Sequence, residues 1–225
     1  EHPFHAYLAS LPAEAPDCCS WPASLRALLS GTNLGVAAEL ARDELEAQTA
    51  ALLPALLTAQ PALFAGLDQA ALLWARGSFL SRRFPSQLAA GGGGSGSVAG
   101  LGVLLPFLDL ANHAGGTPIG WERSEEFVTF VAGGAGVGAG CEVFNNYGSK
   151  SNEELMMAHG FALRDNAFDT FGLQLRVGDG GGGSSRSLGP FAVRRADERW
   201  AQIPNALWRA LDDPLGYDEE DEADE

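Results

Sequence analysis

The spacing of apolar positions predicts a helical first part of the chain. Apolar side chains and one threonine recur at spacings of three and four from Leu45 to Leu57, so they share one helix face. Pro54 lies inside this run and predicts a bend or a new helix start. Ser24 to Ser30 shows one or two turns of the same periodicity, and Asp68 is a suitable N-cap for a helix from Gln69 to about Arg82.

Beyond residue 100 the periodicity shortens and predicts strands. Val103 to Leu108 is a short apolar run that ends at a polar residue. Phe127 to Val131 is aromatic and β-branched, which favours a strand. Glu142 to Phe144 also suggests a short strand, and Phe168 to Val177 alternates as a strand does.

Helix boundary signals follow in the last third of the chain. Ser151 and Glu154 form a capping box in which each side chain satisfies a free amide of the other residue. Gly160 is then the expected C-cap of that helix. Asn205 to Leu211 predicts a short helix before an acidic tail.

Two glycine-rich stretches and the acidic tail are not expected to contribute to the hydrophobic core. Residues 91–97 and Gly180 to Ser185 are rich in Gly and Ser and are predicted to be flexible loops. The first resembles no phosphate loop, because it lacks the Lys-Ser/Thr ending. Seven of the last eight residues, 218–225, are acidic, and we expect this tail to be solvated and disordered.

Composition narrows the class of protein. The 225 residues are 46% hydrophobic, which is enough for one large domain or two small ones. No apolar run is long enough to span a bilayer, and a net charge of -15 argues against a nucleic-acid partner. Cys18, Cys19 and Cys141 form neither a disulfide framework nor a Cys-x-x-Cys metal motif, so a reducing interior is favoured.

Two polar clusters lie in apolar surroundings. One contains Asp109, Asn112 and His113, and the other contains Asn145, Asn146 and Tyr147. Buried polar groups cost free energy unless they are paired, so such clusters mark either satisfied turns or a functional site. Residue counting leaves a Ser-His-Asp triad open, although no Gly-x-Ser-x-Gly elbow would place its nucleophile. The histidines lack metal-ligand spacing, so we expect no metal.

Three ordered blocks carry a family resemblance. They run from Pro106 to His113, from Gly140 to Leu155 and from His159 to Phe161. In order and spacing they resemble the C-terminal half of SET-domain protein methyltransferases. The resemblance is strongest to the subgroup that contains the Rubisco large-subunit lysine methyltransferase and the actin histidine methyltransferase. Tyr7 to Pro12, with Trp74 and Arg82, is similar to the start and end of that subgroup's helical insert.

The resemblance implies an α+β SET fold of short β-strands with a knot-like C-terminal segment and a long helical insert. Residues 1–165 would then be the C-terminal portion of a SET domain, with the insert at 1–90, the linker at 91–97 and the catalytic part at 98–165. Residues 166–217 would begin the helical substrate-binding domain of this subgroup, followed by the tail at 218–225.

The resemblance also implies roles for individual residues. The cofactor would be S-adenosyl-L-methionine, and the acceptor a lysine, with histidine possible in the subgroup. Tyr147 would be the catalytic residue that orients the acceptor nitrogen, and Asn146 would support it structurally; a simple turn asparagine is the alternative. The residues implied to bind the cofactor are Arg82, Asp109, Asn112, His113, His159, Gly160 and Phe161. From periodicity alone, Arg82 could equally be a packing residue whose charged end reaches solvent.

Some features of the subgroup have no counterpart in these residues. A Gly-x-Gly strand region near the start of the SET domain completes the cofactor pocket in the family, and we expect it before Glu1, in a longer gene product. The alternative to an enzyme is a catalytically incomplete SET-fold module for protein interaction. We expect a monomer that acts on a protein substrate in the cytoplasm or the chloroplast, with neither nucleic acid nor membrane as a partner.

Overall fold

A computed structural model describes residues 3–88, 101–134, 136–178, 185–195, 201–202, 207 and 209–210. The chain forms two compact units: the first comprises Glu1–Ser149 and Glu154–Gly160, and the second Lys150–Glu153 and Phe161–Glu225. The predicted linker at 91–97 and the acidic tail at 218–225 lie outside the described residues.

Helices dominate the first ninety residues, as the periodicity predicts. They are α1 (His5–Ser10), α2 (Ala23–Arg26), α3 (Asn33–Ala59) and α4 (Gln69–Arg82), with a 3-10 turn at Ala27–Leu29. Thr32 and Asp68 cap α3 and α4, because each side-chain oxygen accepts a backbone N–H of the first turn. The core here is built on Cys18, Cys19 and Ala38, against which Trp21, Leu29, Leu34, Ala41 and Met157 pack.

The prediction of a new helix start at Pro54 is wrong. The helix α3 continues through Pro54 to Ala59. Proline removes only one backbone donor from the helix, and Pro54 is exposed, so water can satisfy the carbonyl that loses its partner. The 27-residue length of α3 supplies enough other backbone hydrogen bonds to outweigh that loss.

The boundaries of the last complete helix confirm the sequence signals. Helix α5 (Asn152–His159) begins directly after Ser151 and ends at Gly160. The Gly160 N–H donates to the carbonyls of Leu155 and Met156, and its φ of +74° is the left-handed conformation of a helix C-cap. The reciprocal hydrogen bonds of the predicted capping box stay a prediction.

A β-hairpin follows the 3-10 turn Leu108–Leu110. Strands β1 (Ile119–Arg123) and β2 (Val128–Ala132) are antiparallel, with Trp121 opposite Phe130. Phe84 packs edge-on against the Trp121 ring at 5.5 Å and tilted against Phe130 at 5.9 Å. This aromatic cluster joins the residues just after α4 to the hairpin.

The predicted strand at Glu142 to Phe144 is wrong. Only Asn145 pairs, in an isolated parallel bridge with His113. After Asn145, side-chain oxygens accept the backbone donors: the Asn146 N–H donates to Asn145 Oδ1, and the Gly148 N–H donates to Asn146 Oδ1. Such local side-chain acceptors compete with strand pairing.

The second unit contains a three-stranded antiparallel sheet in the order β3-β4-β5. Its strands are β3 (Thr170–Gly178), β4 (Ser185–Arg195) and β5 (Ala201–Gln202). Leu188, Phe191, Leu207 and Ala210 form its core. The resemblance implies a helical domain from residue 166, but most described residues here are strands, because the alternating pattern decides the local structure. Of the predicted helix Asn205 to Leu211, the described residues 207, 209 and 210 are helical, and Ser185, predicted to lie in a loop, begins β4.

In the part of the chain that the structure describes, none of the helices is both long and apolar enough to cross a bilayer.

Candidate active site

The two polar clusters predicted from the sequence lie side by side in the first unit. Asn145 N–H donates to the Asn112 carbonyl at 2.7 Å, and Ala114 N–H donates to the Asn145 carbonyl at 3.0 Å. These two bonds flank His113 and form its parallel bridge with Asn145. Segments more than thirty residues apart in sequence are therefore held at hydrogen-bonding distance.

Two asparagines fix the segment that carries the predicted catalytic tyrosine. The buried Asn145 side chain accepts from the Trp121 indole N–H at 3.1 Å and from the Asn146 backbone N–H at 2.8 Å. Asn146 Oδ1 accepts the Gly148 N–H at 2.9 Å. The backbone on both sides of Tyr147 is thus fastened by side-chain oxygens. The supporting role of Asn146 in a site stays a prediction.

The Tyr147 ring contacts two histidine rings. Its centroid is 5.0 Å from that of His113, in a stacked arrangement with an interplanar angle of 22°, and 4.7 Å from that of His159, tilted by 33°. Ring contacts at these separations restrict the orientation of all three rings. Three predicted site residues from three separate sequence blocks therefore form one ring cluster.

The Tyr147 hydroxyl donates to the Ala111 carbonyl at 2.9 Å. Burial raises the pKa of this phenol, the Arg82 charge opposes that shift, and the Asp109 charge reinforces it. The hydroxyl therefore stays protonated at physiological pH. It suits a positioned hydrogen-bonding group better than a strong base.

Hydrogen bonding assigns the proton positions of both histidines. His113 Nδ1 accepts the backbone N–H of Tyr147 at 3.1 Å, so that nitrogen carries no proton. His159 Nδ1 lies 3.0 Å from the Ser81 carbonyl, which can only accept, so that nitrogen carries a proton. Nδ1 is therefore unprotonated in His113 and protonated in His159, although both rings contact Tyr147.

Arg82, at the end of α4, pairs with Asp109. Its Nη1 lies 3.3 Å from Asp109 Oδ2 and 3.4 Å from the Asp109 carbonyl oxygen. The Tyr7 hydroxyl donates to the same Oδ2 at 2.5 Å. The Asp109 side chain is completely buried, whereas that of Arg82 is 20% exposed. A cation therefore lies at the edge of the site, held by a carboxylate inside it.

Two buried polar atoms of the first unit have no hydrogen-bond partner among the described residues: Asp109 Oδ1 and Ser78 Oγ. Ser78 lies one turn before Arg82 on α4. Buried oxygens of this kind are rare in folded proteins and call for a donor such as a ligand or water. Asp109 is one partner of the ion pair, and Ser78 precedes the other partner, Arg82, by one helical turn.

The structure brings most of the predicted site residues together, with three qualifications. Asn112 is exposed, and its amide N–H donates to Glu142 Oε1 at 2.7 Å, which leaves its side-chain carbonyl as an acceptor. Gly160 lies so near the backbone of Pro16 that a Cβ atom would be 1.8 Å from that carbonyl oxygen. The glycine is needed for chain packing. Phe161 belongs to the second unit, and its predicted contact with the cofactor stays a prediction.

Sequence reasoning misses two residues of the site. The sequence places Tyr7 only in the helical insert, whereas in the structure its hydroxyl donates to the Asp109 carboxylate. Trp121 carries no signal of its own in the sequence, yet its indole N–H fixes Asn145. In neither case does a local spacing in the sequence reveal the contact.

Comparison with curated proteins finds relatives among lysine methyltransferases. A ribosomal lysine N-methyltransferase of Schizosaccharomyces pombe is 38% identical over 108 residues, which cover 47% of this chain and 19% of that protein. Ribosomal lysine N-methyltransferase 1 of Saccharomyces cerevisiae is 35% identical over 107 residues, covering 48% and 18%. The chain thus spans less than a fifth of the length of these relatives. No family model matches the chain.

Comparison with solved structures concerns the fold. The SET domain of LSMT bound to methyllysine and AdoHcy matches with a TM-score of 0.68 and 18% identity, covering 92% of this chain and 48% of that one. Rubisco LSMT bound to sinefungin and monomethyllysine matches with a TM-score of 0.63 and 23% identity, covering 79% and 39%. At these identities the match shows the fold.

Proposed function

Because the chain has the SET fold found in Rubisco LSMT, we propose that the protein is an S-adenosylmethionine-dependent methyltransferase that acts on a lysine side chain of a protein. The observation that carries the proposal is the ring cluster of His113, Tyr147 and His159, with the Tyr147 hydroxyl donating to the Ala111 carbonyl. This cluster contains one residue from each of the three sequence blocks that resemble SET-domain methyltransferases. The names of the curated relatives support lysine as the acceptor.

The residues present fit the chemistry of the cofactor. Arg82 contacts Asp109 through Nη1 alone among the described residues, which leaves further guanidinium donors for a carboxylate. The Asn112 side-chain carbonyl suits an ammonium group, and the buried, unpartnered Asp109 Oδ1 adds negative charge nearby. When bound, S-adenosylmethionine supplies an electrophilic methyl group on a sulfonium centre. Gly160 and Phe161 are proposed to complete the adenine side.

Tyr147 is proposed to orient the acceptor nitrogen. Since its proton is engaged by the Ala111 carbonyl, the phenol oxygen presents lone pairs that can accept an N–H of the neutral amine. The raised pKa keeps the phenol uncharged, so it does not draw the amine into its protonated, unreactive form. Methyl transfer of this kind depends on alignment of donor and acceptor, which the ring cluster and the Asn145 and Asn146 bonds provide.

The proposal extends to domain roles and compartment. Residues 1–165 are assigned to the C-terminal portion of a SET domain and 166–217 to the beginning of a substrate-binding domain. Cys18 and Cys19 are buried thiols and Cys141 is an exposed one, which supports a reducing compartment such as the cytoplasm or chloroplast. The protein is proposed to act as a monomer on a protein substrate.

Two measurements on the full-length protein test the proposal. Calorimetric titration with S-adenosylhomocysteine is expected to give a Kd on the order of micromolar. Incubation with S-adenosylmethionine and an unmethylated ribosomal protein fraction is expected to yield methyllysine by mass spectrometry. Ser124→Ala, which removes an exposed hydroxyl in the β1–β2 turn, serves as the control and is expected to leave both results unchanged. Absence of cofactor binding would instead support an interaction module that keeps only the fold.

A further inference from the structure

We propose that Tyr7 is a positioning residue of the site, which acts through Asp109 to hold the Arg82 guanidinium and the turn that leads to Asn112 and His113. This inference rests on the proposed function, since it concerns the same site. Tyr7 lies in the short helix α1, 102 residues before Asp109 in sequence.

Two side chains contact Asp109 Oδ2. The Tyr7 hydroxyl reaches this oxygen at 2.5 Å, the short distance of a hydroxyl bonded to a carboxylate. Arg82 Nη1 reaches the same oxygen at 3.3 Å, near the limit of a hydrogen bond. The tyrosine contact is therefore the tighter of the two and contributes more to the orientation of the carboxylate.

The Asp109 carboxylate is buried. The Asp109 side chain has no exposed surface, and its Oδ1 has no partner among the described residues. A buried carboxylate needs several donors to offset its lost hydration. Within the described part of the chain, Tyr7 supplies one of only two side-chain contacts to this carboxylate, so its removal leaves a long ion pair as the remaining support.

Asp109 also lies close in sequence to other residues of the site. It lies in the 3-10 turn Leu108–Leu110, and its backbone N–H donates to the Leu105 carbonyl at 3.2 Å. Asn112 and His113 follow directly after this turn, and the His113 ring stacks on Tyr147. A change in the Asp109 side chain therefore acts both on Arg82 and on the backbone that presents the ring cluster.

The Tyr7 hydroxyl is suited to a permanent donor role. Burial and the Asp109 carboxylate raise the pKa of this phenol, with a smaller opposing effect of Arg82. The phenol thus keeps its proton across the pH range in which the protein would work. Tyr7→Phe removes this donor and retains the ring.

A simple tether of α1 is the competing explanation, because α1 has no buried residues. Trp74→Phe provides the matched control. The Trp74 indole N–H donates to the Pro12 carbonyl at 2.9 Å and so fastens the same N-terminal segment to α4, without a contact to Asp109. Loss of tethering alone would affect both variants alike.

The experiment measures S-adenosylhomocysteine affinity by calorimetry in the full-length protein, for wild type, Tyr7→Phe, Trp74→Phe, Asp109→Asn and the double variant Tyr7→Phe/Asp109→Asn. Circular dichroism confirms that each variant is folded. Tyr7→Phe is expected to raise the Kd about tenfold, the effect of losing a hydrogen bond to a charged group. Trp74→Phe is expected to stay within about twofold of wild type. The double variant is expected to bind no more weakly than Asp109→Asn, because Tyr7 acts through Asp109.

Three outcomes overturn the inference: Tyr7→Phe that binds as wild type does, equal losses in Tyr7→Phe and Trp74→Phe, or fully additive losses in the double variant. Where Tyr7→Phe fails to fold, it is measured beside wild type and Trp74→Phe in trimethylamine N-oxide, an osmolyte that stabilises folded states: the inference requires weaker binding in Tyr7→Phe than in Trp74→Phe, and equal binding overturns it. A wild type that does not bind S-adenosylhomocysteine refutes the proposed function itself, whereas normal wild-type binding with a silent Tyr7→Phe refutes only the inference.

Discussion

Single residues of the site are held by uncharged hydrogen bonds and ring contacts. Tyr147 donates to a backbone carbonyl and contacts two histidines whose proton positions are fixed by Tyr147 N–H and the Ser81 carbonyl. The charged pair of Arg82 and Asp109 accompanies this ring cluster. Such an arrangement favours alignment of reactants over strong acid or base chemistry.

Tyrosine ionisation gives a prediction at this scale. Burial raises the pKa of Tyr7 and of Tyr147 above the ordinary value of about 10. The folded protein therefore keeps both phenols protonated where the unfolded chain ionises them. The stabilisation is complete below about pH 10 and diminishes as the pH rises above it. Tyrosinate difference absorbance of wild type against Tyr7→Phe and Tyr147→Phe is expected to place both ionisations above that pH.

A tyrosinate signal from either residue at or below its ordinary pKa would contradict the burial of these two phenols. The unfolding free energy measured by urea between about pH 9 and pH 11 provides the second check, and we expect its decline with pH to be smaller in both Phe variants.

At the scale of elements, caps and turns carry most of the local specificity. Asp68 begins a helix and Gly160 ends one at the residue that the sequence predicts. Sequence signals succeed there because the interacting groups lie within five residues of each other. Glu142 to Phe144 does not form a strand, and the one bridge beside it, that of Asn145 with His113, depends on a segment about thirty residues away.

Gly160 gives a prediction at this scale. An alanine there would take a φ of +74° and set its Cβ 1.8 Å from the Pro16 carbonyl oxygen. We expect Gly160→Ala to lower the free energy of unfolding by about 3 kcal/mol or more. Gly66→Ala is the matched control: Gly66 has a φ of +83° but nothing within 4 Å of a Cβ, so about 1 kcal/mol is expected. Equal losses in urea denaturation would contradict the close approach at Pro16.

Pro54 offers a second prediction for the elements. Replacement by alanine restores a backbone N–H inside α3 and removes the clash of the ring with the preceding turn. We expect Pro54→Ala to raise the free energy of unfolding by about 1 to 2 kcal/mol, since the gain is reduced by a more flexible unfolded chain. Pro61→Ala, which lies beyond the C-cap Gln60, is expected to give no such gain. A destabilised Pro54→Ala in urea denaturation would show that the proline is needed for packing.

At the scale of the whole molecule, the fold and the residue types of the site could be predicted from three motif blocks, whereas their joining could not. The blocks contain Asn112, His113, Tyr147 and His159, but the ring contacts join residues from different blocks, and that of His113 with Tyr147 spans more than thirty residues. The Tyr7 hydrogen bond to Asp109 spans 102 residues and leaves no periodic trace. The alternating pattern from Phe168 did predict β3, because in a strand with one buried face apolar and polar residues alternate along the sequence.

The turnover of Tyr147→Phe is the most direct test of the proposed role of Tyr147 in methyl transfer. The full-length wild type and this variant are compared in methyl transfer from S-adenosylmethionine to lysines of an unmethylated ribosomal protein fraction, with S-adenosylhomocysteine affinity measured on the same samples. Loss of a positioned hydroxyl is expected to lower turnover roughly hundredfold while affinity stays within about twofold. Turnover equal to that of the wild type would contradict the assignment of Tyr147 as the residue that orients the acceptor.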